Sequence, residues 1–351
     1  MKKLSEVNFE GKRVLVRCDF NVPIEDGCIV EDERIRSACQ TIKKILDDQP
    51  KNILLISHLG KPKGERLDDF SLKPVAKRLS EILGQEVCLF EDLDSIEALK
   101  VENNCYTEKV FLLENIRFWK EEESADESFA KKVAEGFDVY VGEAFSASHR
   151  AHASISLMPK YTKERCMGLL FEEELTELSK ILKPQERPAV AIIGGAKIET
   201  KLPVIEKLKE RYDFILLGGK IANEALDQKM ELGENVLLPI DFSPAEEEDL
   251  RLDIGPKTVE KYLEIIASAK SIVWNGPLGM FERKEYALGT EKILMGIVSN
   301  LTAYQLVGGG ETIEAVKKFG SLADFDYVSM SGGAMLEFLE GKKLPGIEAL
   351  Q

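Results

Sequence analysis

One pattern recurs in the second half of the chain: a short apolar run, then two or more glycines, then a segment able to form a helix. It occurs at Ala189–Gly195, Phe214–Gly219, Gln305–Gly310 and Tyr327–Gly333. Such short apolar runs suit the buried strands of a parallel sheet, with the helices as crossovers. Strands and helices also alternate through the first half. The sequence therefore predicts an α/β fold with doubly wound, Rossmann-like parallel sheets.

The segment AVAIIGGAKIETKL, Ala189–Leu202, gives the clearest indication of a functional site. Gly194-Gly195 predicts a tight turn with uncovered backbone N–H groups, and the following helix directs its positive end into that turn. Phosphate is the expected occupant, with Lys197 and Lys201 on one helical face beside it. One interpretation is a loop that moves a phosphoryl group. The other is an ordinary strand–helix turn with solvated lysines, since such turns are common in α/β proteins.

Overall charge and cysteine usage limit the possible partners and compartment. The formal net charge is −15, which argues against nucleic acid or an anionic membrane as partner. No apolar run reaches 18 residues, and the N-terminus lacks an apolar signal core. The six cysteines form no CxxC pair, which favours a reducing compartment. We expect a cytoplasmic monomer that acts on small molecules.

Cationic and histidine side chains concentrate in loops that follow the predicted strands of the first half. They are Arg34, His58, Lys61, Arg117, His149, Arg150 and His152. Such loops meet at one edge of a parallel sheet, and guanidinium groups bind phosphate and carboxylate bidentately. A small, multiply anionic substrate is one interpretation. The other is that each arginine is a surface residue and each histidine is satisfied within its loop.

The sequence predicts a helix in the middle of the chain, between two α/β patterns. Gly168–Lys183 has apolar residues at helical spacing and is followed by Pro184 and Pro188. We therefore predict an interdomain helix over residues 168–183.

The second half contains no Walker A or GxGxxG pattern, so a nucleotide site there would be built from several glycine turns. Glu311 directly follows Gly308–Gly310 and begins a predicted helix. It could hold Mg²⁺ beside a phosphate, or it could be an ordinary acidic residue at a helix N-terminus. Lys220 is unusual in a turn otherwise made of glycine.

Ordered sequence blocks carry a resemblance to a known family. They are Arg17–Pro23, Asp32–Arg36, Ser57–Gly64, Ser71–Ala76, Leu112–Phe118, His149–Ser154, Ala191–Leu202, Asp253–Thr258, Ile272–Glu282, Val307–Thr312 and Leu336–Leu350. Over essentially its whole length the chain resembles phosphoglycerate kinases.

The resemblance implies two α/β domains joined by a helix. The N-terminal domain, residues 1–167 plus 336–351, would bind 3-phosphoglycerate or 1,3-bisphosphoglycerate. Residues 168–183 would form the interdomain helix. The C-terminal domain, residues 184–335, would bind ATP or ADP with Mg²⁺.

The resemblance also implies roles for individual residues. Those at phosphoglycerate positions are Asp19, Asn21, Arg34, His58, Lys61, Arg117 and Arg150. Those at nucleotide positions are Gly195, Lys197, Lys201, Gly218, Gly219, Asn275, Pro277, Glu282, Gly309, Gly310 and Thr312. Glu311 falls at the metal position, and Arg34, Lys197 and Lys201 at the catalytic positions.

The implied reaction moves a phosphoryl group between a carboxylate oxygen and the β-phosphate of ADP. Both nucleophiles are already anionic, so no general base is needed. Catalysis then reduces to alignment, charge neutralisation and exclusion of water. Because the two substrates would lie on separate domains, hinge closure must bring them together.

The chain departs from the family pattern at several positions. They are Lys61, Gly142-Glu143, Thr200, Lys220, Glu311 and Ser329–Gly333, together with a shortened segment after Ile221–Leu226. Three interpretations follow: a trimmed but active kinase, a kinase with altered nucleotide preference, or a catalytically impaired paralogue that binds phosphoglycerate or a partner. The intact trio of Arg34, Lys197 and Lys201 favours activity.

Overall fold

Two six-stranded parallel sheets carry the fold, one in each of two units. This computed structural model describes residues 1–101, 107–244 and 250–351. The first unit comprises Met1–Leu175 and Lys343–Gln351, and the second comprises Thr176–Lys342. The boundary thus falls inside the predicted interdomain helix. Residues 336–342, which we expected in the first domain, lie in the second unit.

The first unit contains eight strands and five helices among its described residues before the connecting helix. The strands are β1 Arg13–Arg17, β2 Ile24–Glu25, β3 Cys28–Ile29, β4 Asn52–Ile56, β5 Val87–Phe90, β6 Val110–Leu113, β7 Val139–Gly142 and β8 Glu164–Met167. The helices are α1 Glu33–Asp47, α2 Lys73–Leu83, α3 Glu97–Lys100, α4 Lys120–Glu123 and α5 Glu127–Ala134. The sheet order is β5-β6-β4-β1-β7-β8, while β2 and β3 form a hairpin.

The connecting helix is α6, Leu169–Leu182, and the second unit follows. Its strands are β9 Ala189–Ile193, β10 Phe214–Leu217, β11 Val236–Leu237, β12 Phe242–Ser243, β13 Asp253–Ile254, β14 Ser271–Asn275, β15 Tyr304–Gly308 and β16 Tyr327–Ser329. Its helices are α7 Ile198–Lys209, α8 Gly219–Asp227, α9 Pro256–Ser268, α10 Leu288–Ser299, α11 Gly310–Phe319 and α12 Gly333–Glu340.

The second sheet has the order β11-β10-β9-β14-β15-β16. Counted in chain order within this sheet, that is the Rossmann arrangement, whose switch point lies between β9 and β14. Both strands are buried at every position, as their apolar sequences predict. A ligand is expected beyond the carboxyl ends of these two strands.

The chain returns to the first unit through α13, Pro345–Ala349. The Gly346 N–H donates to the carbonyl of Ser148 at 2.8 Å. The side chain of Leu350 lies so close to Gly142 that a Cβ there would be 2.9 Å from its Cδ1. Residues 343–351 are therefore part of the packing of the first unit.

Shorter helical turns complete the described chain. They are the 3₁₀ turns Leu4–Glu6, Asp68–Phe70, Ile116–Phe118, Phe145–Ala147, Met158–Tyr161, Lys284–Tyr286 and Leu322–Asp324, and a π turn at Ala153–Leu157. Within the described ranges, every helix is too short or too polar to cross a bilayer.

A buried carboxyl group lies against the start of α6. The Leu169 N–H donates to the Thr41 hydroxyl at 3.0 Å, and Glu143 packs over Gly168. Both carboxyl oxygens of Glu143 are buried, and the Thr41 hydroxyl and the Leu170 N–H lie near them without forming a hydrogen bond of normal geometry. Burial raises the pKa of Glu143 to about 8, and the Thr41 hydroxyl and the Leu170 N–H offset only part of this effect.

Replacing Glu143 with glutamine should stabilise the chain increasingly as the pH rises from about 4.5 to about 8. The folded wild type holds a proton that the unfolded chain releases, so its free energy of unfolding falls across this window. The difference between the two proteins should grow by up to about 1.4 kcal/mol per pH unit. Urea unfolding at several pH values measures it. Glu10→Gln, at an exposed site, is the control, and an equal pH dependence in both variants would contradict the expectation.

Candidate functional site

At the switch point of the second sheet, two glycine turns touch backbone to backbone. The Gly194 N–H donates to the Asn275 carbonyl at 3.0 Å, and the Gly195 N–H donates to the Pro277 carbonyl at 3.2 Å. Gly276 has a φ of +101°, and a Cβ on it would lie 2.2 Å from the Gly194 oxygen. Only glycine fits this crossing, which fixes the ends of β9 and β14 relative to each other.

Four helices of the second unit begin at an N-cap glycine, and three of them receive no side-chain cap from the described residues, whereas α9, after Gly255, is capped by the Asp241 carboxylate. Gly218, Gly309 and Gly332 are the N-cap residues of α8, α11 and α12. Side chains therefore leave the first N–H groups of these helices uncapped, at the edge where the sheet strands end, although in α8 the Gly219 and Ile221 N–H groups donate to the backbone carbonyls of Leu278 and Gly195. Helix N-termini in this state attract anions, and phosphate most of all. By contrast, the first N–H of α7, on Ile198, donates to the Glu224 carboxylate at 2.8 Å.

Lys201 is held at the centre of these turns by Asn275. Its ammonium group donates to the Oδ1 atom of Asn275, whose Nδ2 donates to the Gly308 carbonyl at 2.7 Å. Burial lowers the pKa of Lys201 to about 8, although the nearby Glu311 carboxylate opposes this shift. Asn275 thus links the turn after β15 to the lysine that follows β9.

The turns after β9, β14 and β15 enclose a cavity of about 380 Å³. Its lining includes Gly195, Lys197, Lys201, Asn275, Gly309, Gly310, Glu311 and Thr312. The Thr312 hydroxyl accepts from the Gly276 N–H at 2.7 Å and donates to the Gly308 carbonyl at 3.0 Å, so it holds two of the turns together. We call this space the phosphate cavity.

A second cavity of about 380 Å³ adjoins the first and shares Gly195, Ala196 and Glu311 with it. The rest of its lining is Gly219, Lys220, Asn223, Leu250, Arg251, Leu252, Pro277, Gly279, Met280 and Glu282. We call it the base cavity. Gly218 supports its wall from behind, because a Cβ there would lie 2.5 Å from the Leu278 side chain.

Glu311 is exposed in the first turn of α11 and lines both cavities. Its carboxylate is a hard oxygen donor beside a space suited to phosphate, the combination in which Mg²⁺ is bound through one or two carboxylates plus phosphate oxygens and water. The chemistry of this residue is therefore compatible with the metal position that the family resemblance implies.

In the first unit, Asp19 and Arg34 form an ion pair just beyond the end of β1. The Asp19 carboxylate also accepts from the Ser146 hydroxyl and from the Asn21 N–H. Burial alone would raise the pKa of Asp19, but the Arg34 guanidinium and these hydrogen bonds hold it below its usual value. The side chain of Asn21 accepts from the Gly60 N–H at 2.8 Å, which joins this loop to the one after β4.

His58, at the end of β4, is buried beside cations. A guanidinium nitrogen of Arg17 lies 3.3 Å from its Nδ1 atom. Burial lowers the pKa of His58 well below its usual value, and Arg17, Arg117 and Arg34 lower it further. His58 is therefore neutral, with Nδ1 accepting from Arg17 and the proton on Nε2.

Arg17 belongs to a buried network beneath this surface. Its Nε donates to the Ser154 hydroxyl at 2.9 Å, and Ser154 donates to the Glu122 carboxylate at 2.6 Å. His152 lies 3.7 Å from the same carboxylate, yet burial and the neighbouring arginines lower its pKa to about 4. The network fixes the position of Arg17 and, through it, of His58.

The remaining cations of the first unit differ in how tightly they are held. Arg117 donates to the Gly60 carbonyl at 2.7 Å and is buried. Lys61 and Arg150 are exposed, and their side chains make no hydrogen bond or ion pair with the described parts of the chain. The described loops thus offer one fixed and two adjustable cations in addition to Arg34.

Comparison with known proteins decides the family. A family model described as phosphoglycerate kinase matches residues 4–241 and 225–342. The chain belongs to the phosphoglycerate kinase family. The phosphoglycerate kinase of Dictyoglomus turgidum is 41% identical over 389 residues, covering 99% of this chain and 98% of that protein. That of Borrelia hermsii is 41% identical over 392 residues, covering 100% and 99%.

Solved structures agree with this assignment. The phosphoglycerate kinase from Coxiella burnetii superposes with a TM-score of 0.88 at 35% identity, covering 99% of this chain and 98% of that one. The enzyme from Pyrococcus horikoshii gives 0.82 at 31% identity, covering 100% and 98%. The two stretches matched by the phosphoglycerate kinase model overlap at residues 225–241, next to the segment that we expected to be shortened.

Within this phosphoglycerate kinase fold, one expectation needs correction and two arginines need to be added. His58 and His152 were counted among the cations, but burial beside arginines keeps both neutral. Arg17 and Arg251 were not singled out. Arg17 could have been, because an arginine at the end of a buried strand requires a specific polar partner.

Proposed function

We propose that the chain catalyses reversible phosphoryl transfer between 1,3-bisphosphoglycerate and ADP, giving 3-phosphoglycerate and ATP. The observation that carries this proposal is the phosphate cavity, where Lys197 and Lys201 line the same space as uncapped helix N-termini. Membership of the phosphoglycerate kinase family supports the same reaction.

The second unit is proposed to bind the nucleotide, with its phosphates in the phosphate cavity. Backbone N–H groups at Gly309 and Gly310 would donate to phosphate oxygens, while Gly195, whose N–H is used by the Pro277 carbonyl, would let the phosphates approach the backbone closely. Lys197 and Lys201 would neutralise the transferred group, and Asn275 would orient Lys201 through the contact described above. Gly218, Gly219 and Pro277 would shape the wall beside the nucleoside, and Glu282 would accept from the ribose hydroxyls. Thr312 would act by holding the turns in place.

The first unit is proposed to bind the phosphoglycerate. Arg34, Arg117, Arg150 and Lys61 supply cations, and Lys61 binds as a point charge where an arginine would bind bidentately. His58 can donate from Nε2 because Arg17 occupies Nδ1. Asp19 would position Arg34. Together with Asn21, it would also accept a hydrogen bond from a substrate hydroxyl.

Glu311 is proposed to hold Mg²⁺ together with the nucleotide phosphates. When bound, the ion would neutralise phosphate charge and fix the orientation of the phosphate chain. A carboxylate at the entrance to both cavities is placed for this role.

The proposed mechanism needs no general base, because a carboxylate or a phosphate oxygen is the nucleophile in each direction. The chain aligns donor and acceptor and cancels charge on the group in flight with Arg34, Lys197 and Lys201. Arg34 belongs to the first unit and the lysines to the second. We therefore infer that a hinge closure unites them and excludes water.

We further propose that the protein works as a monomer in the cytoplasm, on small molecules and without nucleic acid or membrane. The net charge of −15 supports the exclusion of polyanionic partners. The intact lysines of the phosphate cavity disfavour the alternative of a non-catalytic, phosphoglycerate-binding paralogue.

A coupled assay with 3-phosphoglycerate, Mg²⁺ and either ATP or GTP tests the proposed function. Turnover with at least one nucleotide is the expected result. If neither supports turnover while calorimetry detects 3-phosphoglycerate binding, the kinase proposal fails and the binding-protein alternative replaces it.

A further inference from the structure

Asp253 is a buried carboxylate that lies behind the wall of the base cavity. It is the first residue of β13 and is only 2% exposed. It is absent from the described lining of both cavities, so it acts on a bound nucleotide only through other residues. An inference about its role rests on the proposed function, which places the nucleotide in these cavities. Because burying an unpaired charge is costly, the partners of this carboxylate indicate what it does.

The Asp253 carboxylate accepts from two backbone N–H groups. Its Oδ2 atom accepts from the Gly289 N–H at 2.7 Å, and its Oδ1 atom accepts from the Ile254 N–H at 2.9 Å. Gly289 is the second residue of α10, whose N-cap residue, Ala287, provides no side-chain cap. Asp253 therefore caps α10 from β13, and its negative charge is favourable at the helix N-terminus.

Two glycines leave room for this carboxylate. A Cβ atom on Gly279 would lie 2.1 Å from Oδ1 of Asp253, and a Cβ atom on Gly289 would lie 2.4 Å from the same oxygen. Gly279 lines the base cavity, so the carboxylate contacts the back of the segment that forms the cavity wall. Asp253 thus lies between the start of α10 and that wall.

The segment that forms this wall is residues 276–282, which follow β14 and which we call the β14 loop. It contributes one residue to the phosphate cavity and four to the base cavity. They are Gly276 in the first and Pro277, Gly279, Met280 and Glu282 in the second. The position of the β14 loop therefore decides the shape of both cavities.

Hydrogen bonds hold the β14 loop on both sides of its central glycine. The Leu278 N–H donates to the hydroxyl of Thr290, in the first turn of α10, at 3.1 Å. The Met280 N–H donates to the carbonyl of Leu252, the residue before Asp253, at 2.8 Å. The loop is therefore attached to both of the segments that Asp253 joins.

We propose that Asp253 is a positioning residue for the nucleotide. Its carboxylate joins the start of α10 to β13, and this junction holds the β14 loop in the position that both cavities require. Without the negative charge, the N–H groups of Gly289 and Ile254 are bound more weakly and the loop shifts. The nucleotide then binds less tightly, although Asp253 never touches it.

The ionisation of Asp253 gives this role a pH dependence. Burial raises the pKa of Asp253 to about 7, and only the N–H groups of Gly289 and Ile254 oppose this rise. No charged side chain of the described residues shifts this pKa, and the charged residue nearest in sequence, Arg251, is paired with Asp227. Because the ionised form accepts the stronger hydrogen bonds, nucleotide affinity should fall as the pH decreases through about 7.

Calorimetric titration of the full chain with MgADP, from about pH 6 to about pH 8.5, tests the proposal without relying on turnover. Wild type and Asp253→Asn are compared at each pH, because the ratio of their affinities cancels the ionisation of ADP and of Lys201. Asparagine keeps the shape of the side chain but is neutral throughout. We expect wild type to bind about tenfold more tightly at pH 8.5 but only about twofold more tightly at pH 6, where most of Asp253 is protonated.

Asp326→Asn is the matched control. Its carboxylate also accepts from a backbone N–H, that of Gln305 at 2.8 Å, but it lies outside the described lining of both cavities. This variant should bind MgADP like wild type at every pH. A ratio near one at every pH for Asp253→Asn, with a lower free energy of unfolding in urea, would overturn the proposal, because Asp253 would then be structural only. A ratio that stays near tenfold down to pH 6 would also overturn it, because the charge would then have no role.

Thr290→Val is a second test, which decides the matter if Asp253→Asn does not fold. It removes the hydroxyl that accepts from the Leu278 N–H but keeps the shape of the side chain and the Asp253 carboxylate. We expect MgADP to bind about fivefold more weakly and 3-phosphoglycerate to bind as before. Unchanged MgADP affinity would contradict the link between α10 and the β14 loop. If wild type binds 3-phosphoglycerate but no MgADP, the proposed nucleotide function of the second unit fails, and the role of Asp253 fails with it.

Discussion

Replacing Lys201 with alanine is expected to lower kcat by at least about 10³-fold, while the affinity for 3-phosphoglycerate changes less than about twofold. The ammonium group lies in a buried site beside Asn275, where little water can replace its charge on the transferred group. Steady-state kinetics and calorimetry with 3-phosphoglycerate measure the two quantities. Lys207→Ala, on the same helix but paired with Glu210, is the control. Turnover near the wild-type value would remove Lys201 from the mechanism.

The ionisation of Lys201 should also determine how the kinetic parameters for the nucleotide depend on pH. Because burial lowers its pKa to about 8, free enzyme loses the ammonium charge above that pH. We expect kcat/KM for the nucleotide to fall above about pH 8, whereas kcat persists to higher pH because bound phosphate favours the charged form. A profile flat to pH 10 for both parameters would contradict this assignment.

Gly276→Ala should destabilise the second unit by at least about 3 kcal/mol and abolish nucleotide binding. The residue has a φ of +101°, and the new Cβ would lie 2.2 Å from the Gly194 oxygen, in backbone that cannot move without separating β9 from β14. Urea unfolding and calorimetry with ADP measure these effects.

The control variant Gly233→Ala distinguishes the cost of the steric clash from the cost of placing a side chain at a positive φ. Gly233 has a similar φ of +106°, but its nearest neighbour would be 3.7 Å away. We expect this control to lose only about 1 kcal/mol, the cost of placing a side chain in that conformation. An equal loss of unfolding free energy in the two variants would show that the close contact between the two glycine turns does not contribute to stability.

The strands that the sequence predicted best are those buried on both faces. β6, β7 and β9 begin and end where their apolar runs do. β8, Glu164–Met167, was not predicted, because it is an edge strand whose two charged residues are only partly buried. The β2–β3 hairpin was missed for a similar reason, since two-residue strands leave no periodicity to detect.

The glycine turns and their lysines could be anticipated because local sequence dictates them: a strand, two glycines and a helix place their N–H groups together. The protonation states of the histidines could not be anticipated, because they depend on residues that are distant in the sequence. Burial lowers the pKa of His58, and Arg17, Arg117 and Arg34, which come close to it only after folding, lower it further. Likewise, Lys220 could be recognised as unusual from the sequence. Arg251 and Asn223 come to line the same cavity only when the segment before β13 packs against α8.

The return of residues 343–351 to the first unit has a consequence for synthesis. Gly346 and Leu350 pack against Ser148 and Gly142, in the loop region that carries Arg150. A ribosome must therefore translate the whole second unit before these partners exist. The second unit can therefore complete its own packing earlier, and the first unit, although most of it precedes the second in the chain, is the one that finishes folding last.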